Sequence, residues 1–247
     1  MDLDLDGRVF VLTGASRGLG FASARALVAE GARVIVSSRD PVAVAAAVDT
    51  LGPGAHGIPA DLGDADTPAR LVAEAMDRWG RLDGALISVG GPPAGGLLDA
   101  PEEDWRVAFE SVFLGTLRAV RAVAGALGEG GAIALVLSVS VREPIAGLAI
   151  SNGLRPGLAM LVKDAAAELG PRGIRVNALL PGRIDTDRIR ALDRGPIERA
   201  RKEEQIPLRR YGRPEEFGRV AAFTLSPAAS YVTGAMIPVE GGALHGL

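Results

Sequence analysis

The segment TGASRGLG, residues 13 to 20, spaces three glycines so that a main chain can wrap closely around an anion. Gly14, Gly18 and Gly20 permit a sharp turn, close approach to a ligand and tight packing of the helix that follows, while Ser16, Arg17 and Leu19 fill the loop between them. That helix, FASARALVAEG, starts with unpaired N–H groups that favour negative charge, so a pyrophosphate is the expected ligand. About twenty residues beyond the glycines, an acidic residue would accept hydrogen bonds from an adenosine ribose. The sequence there is Ser37-Ser38-Arg39, and the acid is missing. Ser38 and Arg39, together with Arg17, suit a ribose 2′-phosphate held by planar guanidinium forks, so NADP(H) is expected over NAD(H). Asp40 does not replace the acid: followed by Pro41, it reads as a helix N-cap. The competing reading of these residues is a ligand-free strand-to-helix turn beside solvated arginines.

A second stretch, ISNGLRPG at 150 to 157, places Ser151 and Arg155 four residues apart, downstream of Ser138. Proline is tolerated within a first helical turn, so Pro156 predicts a helix that starts no earlier than about residue 152, with Ser151 and Asn152 as capping residues.

These groups need a scaffold. Short apolar runs at 8–13, 33–38, 56–60, 84–88, 132–138, 174–179 and 235–240 alternate with alanine-rich helical patterns, including one over 214–225. Continuous apolar strands separated by helices predict an α/β fold, a doubly wound Rossmann-like parallel sheet of about seven strands with helices on both faces. No linker or repeat divides residues 1–247, so one domain is expected.

Composition narrows the chemistry. With 48% hydrophobic and 23% charged residues the chain is ordinary for a globular protein with a sizeable core. A net charge of -3 offers no field for a nucleic-acid backbone, so no nucleic-acid partner is expected. The absence of cysteine excludes disulfides, thiolate metal sites and a cysteine nucleophile. His56 and His245 are the only histidines, far apart in sequence, so neither a metal site nor a Ser-His-Asp triad is expected. The acidic start MDLDLDGRVF lacks a signal-like apolar stretch and no run approaches a membrane span, so a cytoplasmic protein without membrane contact is expected.

Taken together, the motifs resemble the short-chain dehydrogenase/reductase family, most closely its β-ketoacyl-acyl-carrier-protein reductase branch, over nearly the whole chain. Besides TGASRGLG the resemblance rests on Asp61-Leu62, Gly90, Ser138, GIRVNALLPGRIDTD (173 to 187) and YVTGAMIPVEGGA (231 to 243). It implies that Asp61 and Leu62 hold the adenine. It places the element containing Pro181, Gly182, Ile184 and Thr186 against the nicotinamide carboxamide. It also implies a homodimer or homotetramer and a substrate lid over about 184–210.

The catalytic positions depart from the family pattern of tyrosine, lysine, serine and asparagine. Ser138 matches the serine, but the tyrosine position falls on Ser151, the lysine position on Arg155, and the asparagine position, counted from Trp105, on Val112. Ile87-Ser88 stands where the family has an asparagine pair. Tyr211 and Tyr231 read as structural, Lys163 and Lys202 lie away from a ribose-anchoring position, and Glu143 is the nearest carboxyl for proton delivery. A serine hydroxyl is a far poorer acid than a phenol, whereas Arg155 keeps a positive charge.

Two functions follow. The first is an NADP(H)-dependent oxidoreductase interconverting a small-molecule carbonyl and alcohol, with an acyl thioester among the candidate substrates. Ser138, Ser151 and Arg155 would carry its chemistry, and Arg155 would also anchor the cofactor. The second is a catalytically impaired dinucleotide-binding protein acting as a sensor or as an inactive oligomer partner. The arginines of 188–210 can dock an acidic carrier protein or a coenzyme A phosphate, although interleaved acids favour a solvated lid.

Overall fold

In the computed structural model, residues 2–193 and 195–246 are described. Among them, strands form at Val9–Thr13 (β1), Arg33–Ser38 (β2), Ala55–Pro59 (β3), Gly84–Ser88 (β4), Ala132–Val136 (β5), Arg175–Pro181 (β6) and Met236–Val239 (β7). They make one sheet in the order β3-β2-β1-β4-β5-β6-β7, and every pairing is parallel. The sheet is apolar where it is covered on both faces: all five residues of β1 and of β5 are buried.

The helices are Gly18–Ala29 (α1), Pro41–Leu51 (α2), Thr67–Trp79 (α3), Glu102–Ala108 (α4), Gly115–Ala126 (α5), Ala149–Leu169 (α6), Asp187–Leu192 (α7), Pro196–Glu204 (α8) and Pro214–Leu225 (α9); all but α7 and α8, which bury no residue, pack around the sheet. One core gathers Leu27 of α1 and Phe217 and Leu225 of α9 against Phe10, Leu12, Val34 and Leu86. The other gathers Leu71 of α3, Val123 of α5 and Leu158 and Val162 of α6 against Val11, Ile35, Ile133 and Val176. The chain leaves β1 toward β2 and β3 on one side and resumes at β4 on the other. That reversal opens a crevice outside the carboxyl ends of β1 and β4, where open α/β sheets bind ligands.

The sheet follows the expected strands, with a correction at α6. This helix begins at Ala149, three residues ahead of the earliest expected start, and Pro156 lies inside it. An interior proline removes a hydrogen bond and costs about 3 kcal/mol. Tertiary contacts hold the two turns before it: Ile150, Ser151, Leu154 and Arg155 are buried. Neither Ser151 nor Asn152 is a cap. Asn152 ties down the preceding loop instead, accepting from the N–H of Ile145 at 3.1 Å and donating to its carbonyl at 2.8 Å.

Candidate active site

The glycine loop follows β1 and opens α1. Gly14 has φ +58° and lies against β4, so that a Cβ would sit 2.6 Å from the Ser88 carbonyl oxygen. A Cβ on Gly20 would sit 2.4 Å from the Gly14 carbonyl oxygen. Both positions therefore require glycine, and the loop folds tightly back on its own helix. Arg17 occupies the N-cap of α1 without a side-chain capping bond, leaving the first-turn amides to a ligand. Ser38 donates to the Ser16 hydroxyl at 2.8 Å, tying the end of β2 to the loop. This cradle, with its close glycines and uncapped helix start, fits a dinucleotide diphosphate.

In the glycine loop Arg17 is exposed, and after β2 the Arg39 side chain is 80% exposed, its nearest acid being Asp61 at 3.9 Å. Asp61 accepts the N–H of Gly63 at 2.9 Å, and Leu62 is buried beneath it. Asp40 caps α2 as expected, accepting from the N–H groups of Val42 at 2.9 Å and Ala43 at 3.2 Å.

At the opposite end, β6 delivers Pro181 and Gly182, whose N–H donates to Val239 at 3.0 Å. Ile184 is buried and pairs with Gly212. Thr186 caps α7 by accepting the N–H of Ile189, and its methyl group would lie 3.6 Å from a Cβ on Gly18. Residues 184–210, the expected lid, thus begin directly against the glycine loop. No neighbour crowds Gly90 after β4, which leaves that rim open.

β5 ends at Val136, and Ser138 starts a single 3-10 turn, Val139–Val141, its hydroxyl accepting the Ser140 N–H at 3.1 Å. This turn packs on α6. On α6, the Nε of Arg155 donates to the Ser151 hydroxyl at 3.1 Å, and Nη1 donates to the Val136 carbonyl at 3.0 Å. Ser151 and Arg155 are both buried. Burial first, and the charge of Arg188 second, push the Arg155 pKa down to about 10, which leaves it cationic at neutral pH. Val112 lies buried in a π-helical stretch, Phe109–Leu114, which joins α4 to α5.

The two phenols lie elsewhere. Tyr211 is buried beneath the lid, donating to Asp193 at 2.9 Å with Arg199 stacked 4.6 Å from its ring centroid. Burial and that carboxylate raise its pKa to about 12. Tyr231 is fully exposed. Glu143 accepts the backbone N–H of His245 at 3.0 Å, a bond that lowers its pKa by favouring the carboxylate form. Lys163 lies along Gly234, and Lys202 bonds Asp193 at 2.6 Å within the lid. Among the described residues, no group of three His, Cys, Asp or Glu side chains is placed to hold a metal, and no helix is long and apolar enough to cross a membrane.

The lid cations anticipated as a docking surface are largely paired. Arg190 and Arg199 bond Asp185, and Arg210 forks onto Glu216 at 2.8 and 2.7 Å. Arg194 lies outside the described residues. Sequence reasoning missed Arg188, which crosses to the loop after β4 and donates to the carbonyls of Gly91 at 3.1 Å and Pro92 at 3.0 Å. Its only signal was angular: on α7 it lies about 200° round from Arg190, away from the acids that Arg190 pairs with.

A family model described as enoyl-(acyl carrier protein) reductase matches residues 14–244. Dehydrogenase/reductase SDR family member 4 of Bos taurus is 35% identical over 249 residues, covering 98% of this chain and 89% of the relative. A Brucella melitensis short-chain dehydrogenase/reductase, titled glucose/ribitol dehydrogenase, superposes with a TM-score of 0.94 at 30% identity over 100% of both chains. A Pseudomonas aeruginosa short-chain oxidoreductase, described as containing an atypical catalytic center, gives a TM-score of 0.91 at 28% identity, again over 100% of both chains. Family model, relatives and shared architecture agree: this chain is a member of the short-chain dehydrogenase/reductase family of oxidoreductases, which bind a nicotinamide dinucleotide.

Proposed function

We propose that the protein is an NADP(H)-dependent oxidoreductase that interconverts a small-molecule carbonyl and its alcohol. The observation that carries this reading is the cradle in which Gly14 and Gly20 leave no room for a Cβ beneath the uncapped start of α1. Arg17 and Arg39 support the phosphorylated cofactor, since both are exposed at the adenosine end and neither is held in a tight carboxylate fork. Gly18, Leu19, Asp61, Leu62, Gly90 and the stretch from Pro181 to Thr186 complete the binding surface.

When bound in this cradle, reduced nicotinamide would supply a hydride to the carbonyl carbon, with the C=O π pair moving onto oxygen. The residues of this chain then manage the oxygen. Ser138 and Ser151 each accept a hydrogen bond, from Ser140 and Arg155, so each keeps its O–H to donate to the carbonyl oxygen. The buried cation of Arg155 stabilises charge developing beside Ser151. The proton comes from Ser151 or a water it orients, and solvent replenishes it. Without a tuned acid this site forgoes about 10²–10⁴ in rate, leaving slow turnover that rests on positioning.

The lid pairs Arg190, Arg199 and Lys202 with its own acids and Arg210 with Glu216 of α9, which favours a small carbonyl over a carrier-bound acyl thioester. Exposed Val107, Phe109 and Met160 near the π-helical stretch and on α6 support a homodimer or homotetramer. We place the protein in the cytoplasm. A second reading, a nucleotide sensor or inactive oligomer partner, is favoured by Tyr211, whose phenol is locked on Asp193.

Titration with NADPH and NADH, followed by a panel of aldehydes and ketones, separates the two. The proposed function predicts tighter NADPH binding and oxidation above background. Tight binding with no oxidation selects the sensor, and binding of neither nucleotide overturns both.

A further inference from the structure

Charges in the lid are mostly matched. Asp185 takes Arg190 and Arg199, Asp187 takes Arg190, and Asp193 takes Arg183 and Lys202. Arg188 sits next to one of these acids in sequence and bonds none of them. Its guanidinium instead spans the cleft to the carbonyls of Gly91 and Pro92. It lies so close on Gly91 that a Cβ there would meet Nη2 at 2.1 Å, so the loop after β4 is shaped to receive it.

The second guanidinium is Arg155, held by the Ser151 hydroxyl and the Val136 carbonyl. Val136 ends β5 and pairs with Ser88 at the end of β4, just ahead of Gly91 and Pro92, so both guanidiniums are held on carbonyls at the carboxyl ends of neighbouring strands. Burial lowers the pKa of both, and the charge of Arg188 lowers that of Arg155 further. Among the described residues, neither forms an ion pair with a carboxylate; their side-chain bonds go to hydroxyl and carbonyl oxygens. Two partly desolvated like charges facing only carbonyl and hydroxyl oxygens are costly, and an anion between them would relieve both. In the proposed function the cofactor phosphates take other partners: the uncapped start of α1 with Arg17, and Arg39 after β2. Arg155 shares a hydrogen bond with Ser151, so an anion on this pair lies beside the reacting carbonyl.

We propose that Arg155 and Arg188 form a two-guanidinium pocket for a carboxylate of the substrate, so that the carbonyl compound is a keto acid and the alcohol a hydroxy acid. This rests on the oxidoreductase reading for the word substrate, but the anion pocket itself does not. A carboxylate satisfies both guanidiniums with charge-assisted bonds, and Arg188 gives up two neutral carbonyls to make them. Because Arg188 belongs to the lid, anion binding also draws α7 over the cleft.

The test is calorimetric titration of the NADP⁺-saturated protein with acetate, oxamate and glutarate. Saturable binding of at least one is expected. Arg188→Gln should weaken it about tenfold or more, and Arg188→Lys should recover part of the loss. The NADP⁺ affinity of Arg188→Gln should stay within about threefold of the parent, which also shows that the variant folds. Absence of carboxylate binding, or binding indifferent to Arg188→Gln, overturns the pocket. A matching tenfold loss of NADP⁺ affinity overturns it too, by assigning the guanidinium to the cofactor diphosphate. In turnover, 2-oxobutanoate should be reduced in preference to 2-oxobutanamide; equal rates contradict the substrate class. Carboxylate binding without any turnover would leave the pocket standing and remove the oxidoreductase reading, so the two failures are distinct.

Discussion

The Nε of Arg155 donates a 3.1 Å hydrogen bond to the hydroxyl of Ser151, one turn away on the same helix and equally buried. This fixes the lone pairs of Ser151 on the guanidinium and leaves its proton for a ligand. Ser151→Ala removes the acceptor and strands a buried charged N–H, so it should destabilise the fold by about 1–3 kcal/mol, read by urea unfolding. Ser151→Tyr combined with Arg155→Lys supplies a phenol with an ammonium beside it. If turnover is limited by proton delivery, the double variant should raise kcat by about 10²–10⁴.

The proposed preference for NADP(H) rests on Arg39, which is 3.9 Å from Asp61 and otherwise open to solvent. Arg39→Ala should weaken NADPH binding about tenfold or more while leaving NADH within about twofold. Fluorescence titration with both nucleotides checks this. An equal loss for both would place Arg39 outside the phosphate site.

Two glycines make opposite predictions. Gly20→Ala forces a Cβ to within 2.4 Å of the Gly14 carbonyl and should disrupt the cradle, abolishing nucleotide binding and lowering Tm. Gly125, exposed near the end of α5, meets nothing within 4 Å, so Gly125→Ala should stabilise by a few tenths up to about 1 kcal/mol with binding unchanged. Thermal unfolding of the pair with and without NADPH reads both effects.

Acid should loosen the approach to α9. Glu216 accepts the fork of Arg210 and the N–H of Arg213, and these lower its pKa from 4.5 to about 2. A depressed carboxyl contributes stability in full above its unfolded pKa and loses it as pH falls through its folded value. The stability difference between the parent and Glu216→Gln should therefore be largest near neutrality and shrink between about pH 4.5 and pH 2. Urea unfolding over that range follows it, and a difference that grew on acidification would contradict the assignment.

The strands were legible because β1, β4 and β5 are continuous apolar runs, and the cradle because its glycines sit between a strand and a helix. Asp40 was legible as a cap because its action is local. The start of α6 was not. Proline preference argues for a first-turn position, but buried Ile150, Leu154 and Arg155 and the bonds from Asn152 to Ile145 sustain two turns ahead of Pro156. Arg188 was read as part of a solvated lid because its partners, Gly91 and Pro92, lie almost a hundred residues away in sequence (~97) and meet it only in the folded chain. Tyr211 was read as structural from its sequence context, and its Asp193 partner is visible only in three dimensions.

In the proposed function, carbonyl reduction in this pocket proceeds without a phenol. The most direct measurement is the rate of NADPH oxidation, over a panel of carbonyl compounds that includes keto acids, by the parent and by a Tyr211→Phe, Tyr231→Phe double variant. The account predicts a slow rate above background that the double variant keeps within about twofold, since Tyr211 is held by Asp193 and Tyr231 lies in solvent. Brisk turnover that disappears with the two phenols would contradict it.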